Sequence, residues 1–159
     1  MRIDRLVVLL MCTVHAAAAQ ENSLQRFQGE ARVDLIAGGT TAVHAALGTN
    51  AMISNSLRLG ADIGGGMRRV NGTMRASGRF DVTARFHLDP FQQFAHGVYV
   101  GGGGALYFDD GAPRRVRAVV LTGVEGTPSR HGWIGGVEFA LGGGVRVGAT
   151  LRRARTSGR

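Results

Sequence analysis

The sequence predicts an all-β protein: a single antiparallel up-and-down β-barrel of about eight strands, preceded by a cleaved signal peptide. Three observations predict it. The chain opens on a basic, then apolar, then small-residue segment of the export type. Most of the remaining chain alternates apolar and polar residues with period two. Turn-forming residues interrupt that alternation at short, regular intervals.

A length of 159 residues fits one domain. Composition is 44% hydrophobic and 19% charged, with 26 glycines that show no three-residue period, so neither a charge-swollen disordered chain nor a collagen fits. All 19 basic residues are arginine against 11 acids, a formal charge of +8. That excess admits anionic partners such as lipid phosphate or nucleic acid.

Arg2 and Arg5 supply the basic part of the export segment, residues 6–14 the apolar run, and Ala16 to Ala19 the small-residue pattern that a signal peptidase reads before Gln20. The run falls short of the ~20 apolar residues a membrane-spanning helix needs. Cys12 lies inside it, so the mature chain carries no cysteine and uses no disulfide. Leu9-Leu10-Met11-Cys12 faintly resembles a lipoprotein box, with Met11 where a small residue is wanted. The expected organisation is a signal peptide over 1–19, a linker over 20–29, the barrel over 30–155 and a tail over 156–159.

Eight strand-like segments run along the chain. Ala31, Val33, Leu35 and Ala37 oppose Glu30, Arg32 and Asp34; residues 40–47 are strand-like but rich in small side chains; Leu57, Leu59, Ala61 and Ile63 oppose Arg58 and Asp62. Residues 73–89 alternate best, with Met74, Ala76, Gly78, Phe80, Val82, Ala84, Phe86 and Leu88 against Arg75, Arg79, Asp81, Arg85 and their polar neighbours. Residues 98–108 again favour small side chains. Val116, Ala118, Val120 and Val124 then oppose Arg115, Arg117 and Glu125, although Val119 and Leu121 blur the pattern. Val137, Phe139 and Leu141 oppose Glu138, and Val145, Val147, Ala149 and Leu151 oppose Arg146, Thr150 and Arg152. Turns are expected at 38–39, 49–56, 71–72, 89–90, 109–113, 126–128 and 142–144. Such short connections permit antiparallel neighbours and exclude parallel crossovers.

Alternation alone does not say which face is wet. Both signs of charge share the polar faces, as groups that must pair in a closed lumen do. The apolar faces are built from Val, Ala, Leu, Gly and scattered Phe instead of large interlocking side chains. A membrane barrel, apolar outside and polar inside, therefore fits better than a soluble one. A closed barrel of this size has room only for side chains, which argues against open transport.

From roughly residue 30 to 155 the chain resembles the small outer-membrane β-barrels of the OmpA/OmpX type, in architecture and without a residue-specific motif. The resemblance implies a Gram-negative outer-membrane location and delivery by the outer-membrane insertion machinery. It transfers no functional residues. Such barrels finish on an aromatic residue, whereas this chain ends on Ala154-Arg155-Thr156-Ser157-Gly158-Arg159. They also carry their longer loops on the outside, where parity here places the short odd-numbered connections.

The expected interior ionic network comprises Arg32, Asp34, Arg58, Asp62, Arg75, Arg79, Asp81, Arg85, Arg117, Glu125, Glu138 and Arg146. Arg68, Arg69, Arg114 and Arg115 flank the third and fifth connections, where guanidinium groups could grip lipid phosphates, lipopolysaccharide included, or form a solvated rim. No cofactor or metal is expected. Gly101 to Gly104 and Gly142 to Gly144 open no helix that could hold a phosphate, and the histidines lack ligand spacing. Ser129, His131 and Glu138 permit an outer-membrane lipid-modifying enzyme as an alternative. A secreted or periplasmic soluble barrel that binds a small apolar ligand is the other. Nucleic acid is not expected, because export separates it from the chain and the arginines alternate with apolar residues instead of forming a helix-borne stripe with aromatics.

Overall fold

The structure, a computed structural model, describes residues 27–89, 93 and 95–153. The signal segment 1–19 with Cys12, the linker up to residue 26 and the tail 156–159 lie outside the described residues. The described chain forms eight strands: β1 (Gln28–Ala37), β2 (Thr41–Met52), β3 (Leu57–Val70), β4 (Thr73–His87), β5 (Gly97–Asp109), β6 (Arg115–Glu125), β7 (Trp133–Leu141) and β8 (Val145–Arg153). Each pairs antiparallel with its sequence neighbours, and β8 pairs with β1 from Glu30↔Arg152 to Ala37↔Val145, closing the barrel.

Closure carries a stagger. One hydrogen-bonded row traced from Ala37 through Val145, Leu141, Val120, Gly102, Ala84, Leu59 and Ala51 returns beside Phe27, ten residues earlier. A shear of that size in eight strands tilts them by roughly 40°.

The two ends differ. At the end that holds Gln28 and Arg153, all strands finish at one level, joined by connections 53–56, 88–96 and 126–132. At the opposite end the connections are 38–40, 71–72, 110–114 and 142–144, and β3 to β6 run past their neighbours. Residues 73–76 of β4 pair only with β3, and residues 115–119 of β6 pair only with β5, because β7 joins from Val120 onward. Asn71-Gly72, with φ of 48° and 81°, makes the tight reversal at the tip of the β3–β4 ribbon.

One connection is shorter than the sequence suggests. Thr49 to Met52 belong to β2, and the chain reverses only at 53–56, where Ile53 N donates to Leu57 O at 2.9 Å and Leu57 N to Ser54 Oγ at 3.1 Å. Asn50 has the look of a turn residue, yet its amide is buried and donates to Glu30 Oε2 at 2.8 Å.

The alternation sorts into two environments. Val33, Leu35, Ile63, Val82, Phe86, Val120, Val137, Val147 and Leu151 point outward and are exposed, while Arg32, Asp34, Asp62, Asp81, Arg85, Glu138 and Arg146 point inward and are buried. The interior also has an apolar sector: Tyr99, Tyr107, Val119 and Leu121 on β5 and β6, with Ile36, Ala42, Ala105 and Ala140. Val119 and Leu121 blur their strand because they have inward parity without being polar.

Glycine permits the curvature. At inward-facing Gly103 an added Cβ would lie 2.0 Å from the Val82 carbonyl oxygen and 2.8 Å from Thr83 Cα, so no side chain fits without parting β4 from β5. Outward-facing Gly65 has nothing nearer than the Ser77 carbonyl oxygen at 3.8 Å. Gly103→Val is therefore expected to cost at least the ~1–3 kcal/mol of an overpacked site and to deplete the folded form, while Gly65→Val leaves it unchanged. The fraction of folded protein after refolding into detergent, read by circular dichroism and trypsin resistance, checks both.

Candidate functional site

Two features of the barrel carry chemistry: its charged interior and an arginine-rich rim. Inward parity turns every second side chain into the lumen, and closure brings the polar ones from all eight strands within reach of one another. The result is a stack of layers. Near the level end, Glu125 on β6 accepts from Arg58 Nη1 on β3 at 2.5 Å and from Arg152 on β8, and Arg152 Nη1 donates to Gln28 Oε1 at 3.1 Å. Beside them Arg85 on β4 donates to Glu30 Oε1 and Oε2 at 3.0 Å each and to Asn50 Oδ1 at 3.0 Å. His87 lies against the Tyr99 ring, 5.6 Å between centroids.

Glu138 on β7 links this layer to the next. It accepts from Arg32 Nη2 at 2.7 Å, Arg85 Nε at 3.1 Å, Tyr99 Oη at 3.2 Å and Arg146 Nη2 at 3.5 Å. In the middle layer Asp34 accepts from Arg32 Nη2 at 2.9 Å and Arg79 Nη2 at 2.5 Å, while Asp81 accepts from Arg146 Nη1 at 2.5 Å and sits 3.0 Å from Arg79 Nε. Asp62 lies farther from its cations, 3.5 Å from Arg79 and 3.8 Å from Arg32. Gly148 makes this layer possible, since a Cβ there would stand 2.1 Å from Asp34 Oδ1.

Toward the ragged end the charge thins. His44 Nε2 is 3.0 Å from Ser77 Oγ, which donates to Asp109 Oδ1 at 2.7 Å. Asp109 also holds Arg68 Nη1 at 3.0 Å and the guanidinium of Arg115.

Of the residues that sequence reasoning assigned to the interior, Arg32, Asp34, Arg58, Asp62, Arg79, Asp81, Arg85, Glu125, Glu138 and Arg146 are buried and brought together. Arg75 and Arg117 are not. Both have inward parity, but Arg75 sits where only β3 flanks β4 and Arg117 where only β5 flanks β6, so neither has a wall around it and both are exposed. Alternation specifies which way a side chain faces and says nothing of its height along the barrel.

Glu30 and Arg152, set on the polar faces by sequence but left out of the expected network, belong to it, and the residues missed by that reasoning are Asn50, Ser77, Asp109 and Tyr99. Asp109 has the look of the first residue of an Asp-Asp-Gly turn, yet it is the last of β5.

The four rim arginines divide by parity. Arg68 and Arg115 turn inward onto Asp109. Arg69 is on the outer face, and Arg114 places Cζ 5.7 Å from the centroid of outward-facing Phe108. Ser129 and His131 are exposed on the 126–132 connection, where Ser129 Oγ accepts from Trp133 N at 3.0 Å, whereas Glu138 is buried among three arginines. The three do not converge on a nucleophile–base–acid relay.

Comparison with known proteins gives the fold. No protein-family model matches the sequence, and no curated protein does. Among solved structures, the barrel is similar to Neisserial surface protein A, at 16% identity and a TM-score of 0.58, covering 81% of this chain and 96% of that one. It is also similar to the N-terminal β-barrel domain of Pseudomonas aeruginosa OprF, at 11% identity and a TM-score of 0.54, covering 82% and 99%. The likeness to these two structures is one of barrel fold.

Because Glu138 is the acceptor for Arg32, Arg85 and Arg146, Glu138→Ala leaves buried positive charge without its counter-ion. The expected destabilisation is about 3–5 kcal/mol, as for breaking other buried pairs. Urea unfolding of the reconstituted protein measures it, with exposed Asp110→Asn as the control that leaves the midpoint in place.

Proposed function

We propose that this chain is an outer-membrane β-barrel protein of a Gram-negative-type bacterium with a structural or interaction role, its lumen plugged by the Arg–Asp/Glu network. One observation carries the reading. Twenty-seven large apolar side chains are exposed on the described barrel, against ten buried apolar residues, four of them alanine. Soluble monomers rarely expose a contiguous apolar patch beyond a few hundred Å². In hydrocarbon that surface needs no cover, and closure of β8 onto β1 pairs the backbone around the barrel, leaving one-sided pairing on the raised ends of β4 and β6.

The layered pairs support the plugged lumen. Among the described residues, six buried arginines and seven buried acids occupy the space a channel would use, and each of those arginines has a carboxylate partner. The same filling removes the apolar interior that a soluble barrel for a small greasy ligand would need. The scatter of Ser129, His131 and Glu138 takes away the support for a lipid-modifying enzyme.

Of the four rim arginines, Arg69 and Arg114 are the ones we assign to lipid phosphates, lipopolysaccharide among them. Both belong to the outer face at the end of the apolar band, and neither is engaged by a carboxylate among the described residues. Arg68 and Arg115, occupied by Asp109, leave that role.

Trp133, the chain's single tryptophan, stands outward on β7 and is 45% exposed. In vesicles its emission should be strongly quenched when brominated acyl chains replace ordinary ones, and on an SDS gel the unheated protein should migrate apart from the boiled one. Unquenched emission together with a single heat-insensitive band would reject the membrane reading.

A further inference from the structure

The raised part of the ragged end concentrates charge of one sign. Arg68 and Arg75 face each other directly across β3 and β4, on the side of the ribbon turned toward the barrel axis. Arg115 and Arg117 have the same inward parity on β6. Arg75 reaches over the β5–β6 connection, where a Cβ on Gly111 would meet its Nη1 at 2.5 Å. Against these four guanidinium groups the concave side offers the carboxylate of Asp109, already shared between Arg68 and Arg115, and Asp110 sits exposed in the turn beside it.

Like charges placed directly opposite on a sheet destabilise it, so a cross-strand Arg68–Arg75 pair favours an anion between them. Arg68 Nε is buried without a hydrogen-bond partner among the described residues. Arg75 and Arg117 are exposed and, among the described residues, have no acid of their own.

The geometry points to a binding site for a polyanionic sugar chain on the concave face of the β3–β6 ribbons. Four observations select that occupant. The guanidinium groups lie on the axis side, away from the outer apolar band, so a lipid headgroup in the plane of the bilayer does not reach them. They come from β3, β4 and β6, strands whose outer backbones stand about 14 Å apart at the usual spacing; Arg68 and Arg115 converge on Asp109, while Arg75 over the β5–β6 connection and Arg117 lower on β6 are further points of attachment, more than a single oxyanion needs. Guanidinium forks match carboxylate, sulfate and phosphate groups, the charges such chains carry. Among the described residues no aromatic side chain lies exposed on the concave face, since Phe108 points outward and Tyr107 is buried, so stacked bases have no platform there.

The inference rests on the membrane reading only in taking the raised ribbons to stand in water. Its test is binding of heparin, a sulfated polysaccharide, to folded protein in zwitterionic detergent, measured by calorimetry. Arg75→Gln/Arg117→Gln should weaken binding about tenfold, two exposed charge pairs at up to ~1 kcal/mol each. Arg69→Gln/Arg114→Gln, which changes the outer face, should leave affinity within a factor of about two. Raising the salt concentration should weaken the wild-type complex.

Wild-type protein that does not bind, or an Arg75/Arg117 variant that binds as wild type does, overturns the site. Equal losses in the two double variants also overturn it, in favour of diffuse charge or a lipid-facing collar. Every sample is scored only if its unheated band is that of the folded barrel. A failure to bind therefore stays distinguishable from a failure of the membrane reading.

Discussion

A buried guanidinium without a carboxylate is among the costliest things a protein interior can hold. Six buried arginines inside one barrel, each with a carboxylate to keep, leave little freedom in how its strands pair. Glu138 serves three arginines from β1, β4 and β8, and Asp34 serves two from β1 and β4, so that beside the intrastrand pairs Arg32–Asp34 and Arg79–Asp81 most of the pairs join different strands. Moving any of these strands by one residue would turn its charged side chains to the outside and bring Val33, Leu35 or Val147 within. Net stabilisation by buried ion pairs is modest, because desolvation offsets much of the attraction. Their larger effect is to penalise every wrong register.

The wall answers a different demand. Tight closure needs inward positions where nothing projects, and β5 supplies them with Gly101 and Gly103 between Tyr99 and Ala105. On β8, Gly148 occupies the place where the Asp34 carboxylate must sit. On β6, Gly123 admits the Tyr99 ring, 2.3 Å from where a Cβ would be. Glycine therefore acts here by leaving volume: bulky ionic groups from one strand lie over bare backbone of another. Such an arrangement accounts for the many glycines in the barrel wall.

Much of the architecture was legible in the residues, because a closed barrel makes facing strictly periodic. The 73–89 stretch announces two surfaces as plainly as β4 displays them. Segments 40–47 and 98–108 said less: in β2 and β5 the small inward residues are there to make room, and room leaves no signature of polarity. Height along the barrel was not legible either. Arg75 and Arg79 look alike in sequence, two turns of the pleat apart on one face, yet one lies in the open and the other is fully enclosed. Only the staggered pairing of neighbours separates them. Asn50 and Asp109 were misjudged for a related cause, since the side chains that suit turns also serve as interior hydrogen-bonding groups.

The uneven upper margin has a consequence for how copies of the chain meet. Where β6 runs from Arg115 to Arg117, before the 142–144 connection comes to lie against Ala118 and Val119, its edge has no strand beside it, and such edges recruit further strands. Pro113 and Arg114 precede that stretch and Arg115 and Arg117 punctuate it, so an incoming copy would have to bring its own cationic margin against this one. The same side chains that give the ragged end its charge thus guard it from stitching itself, molecule to molecule, into a growing sheet.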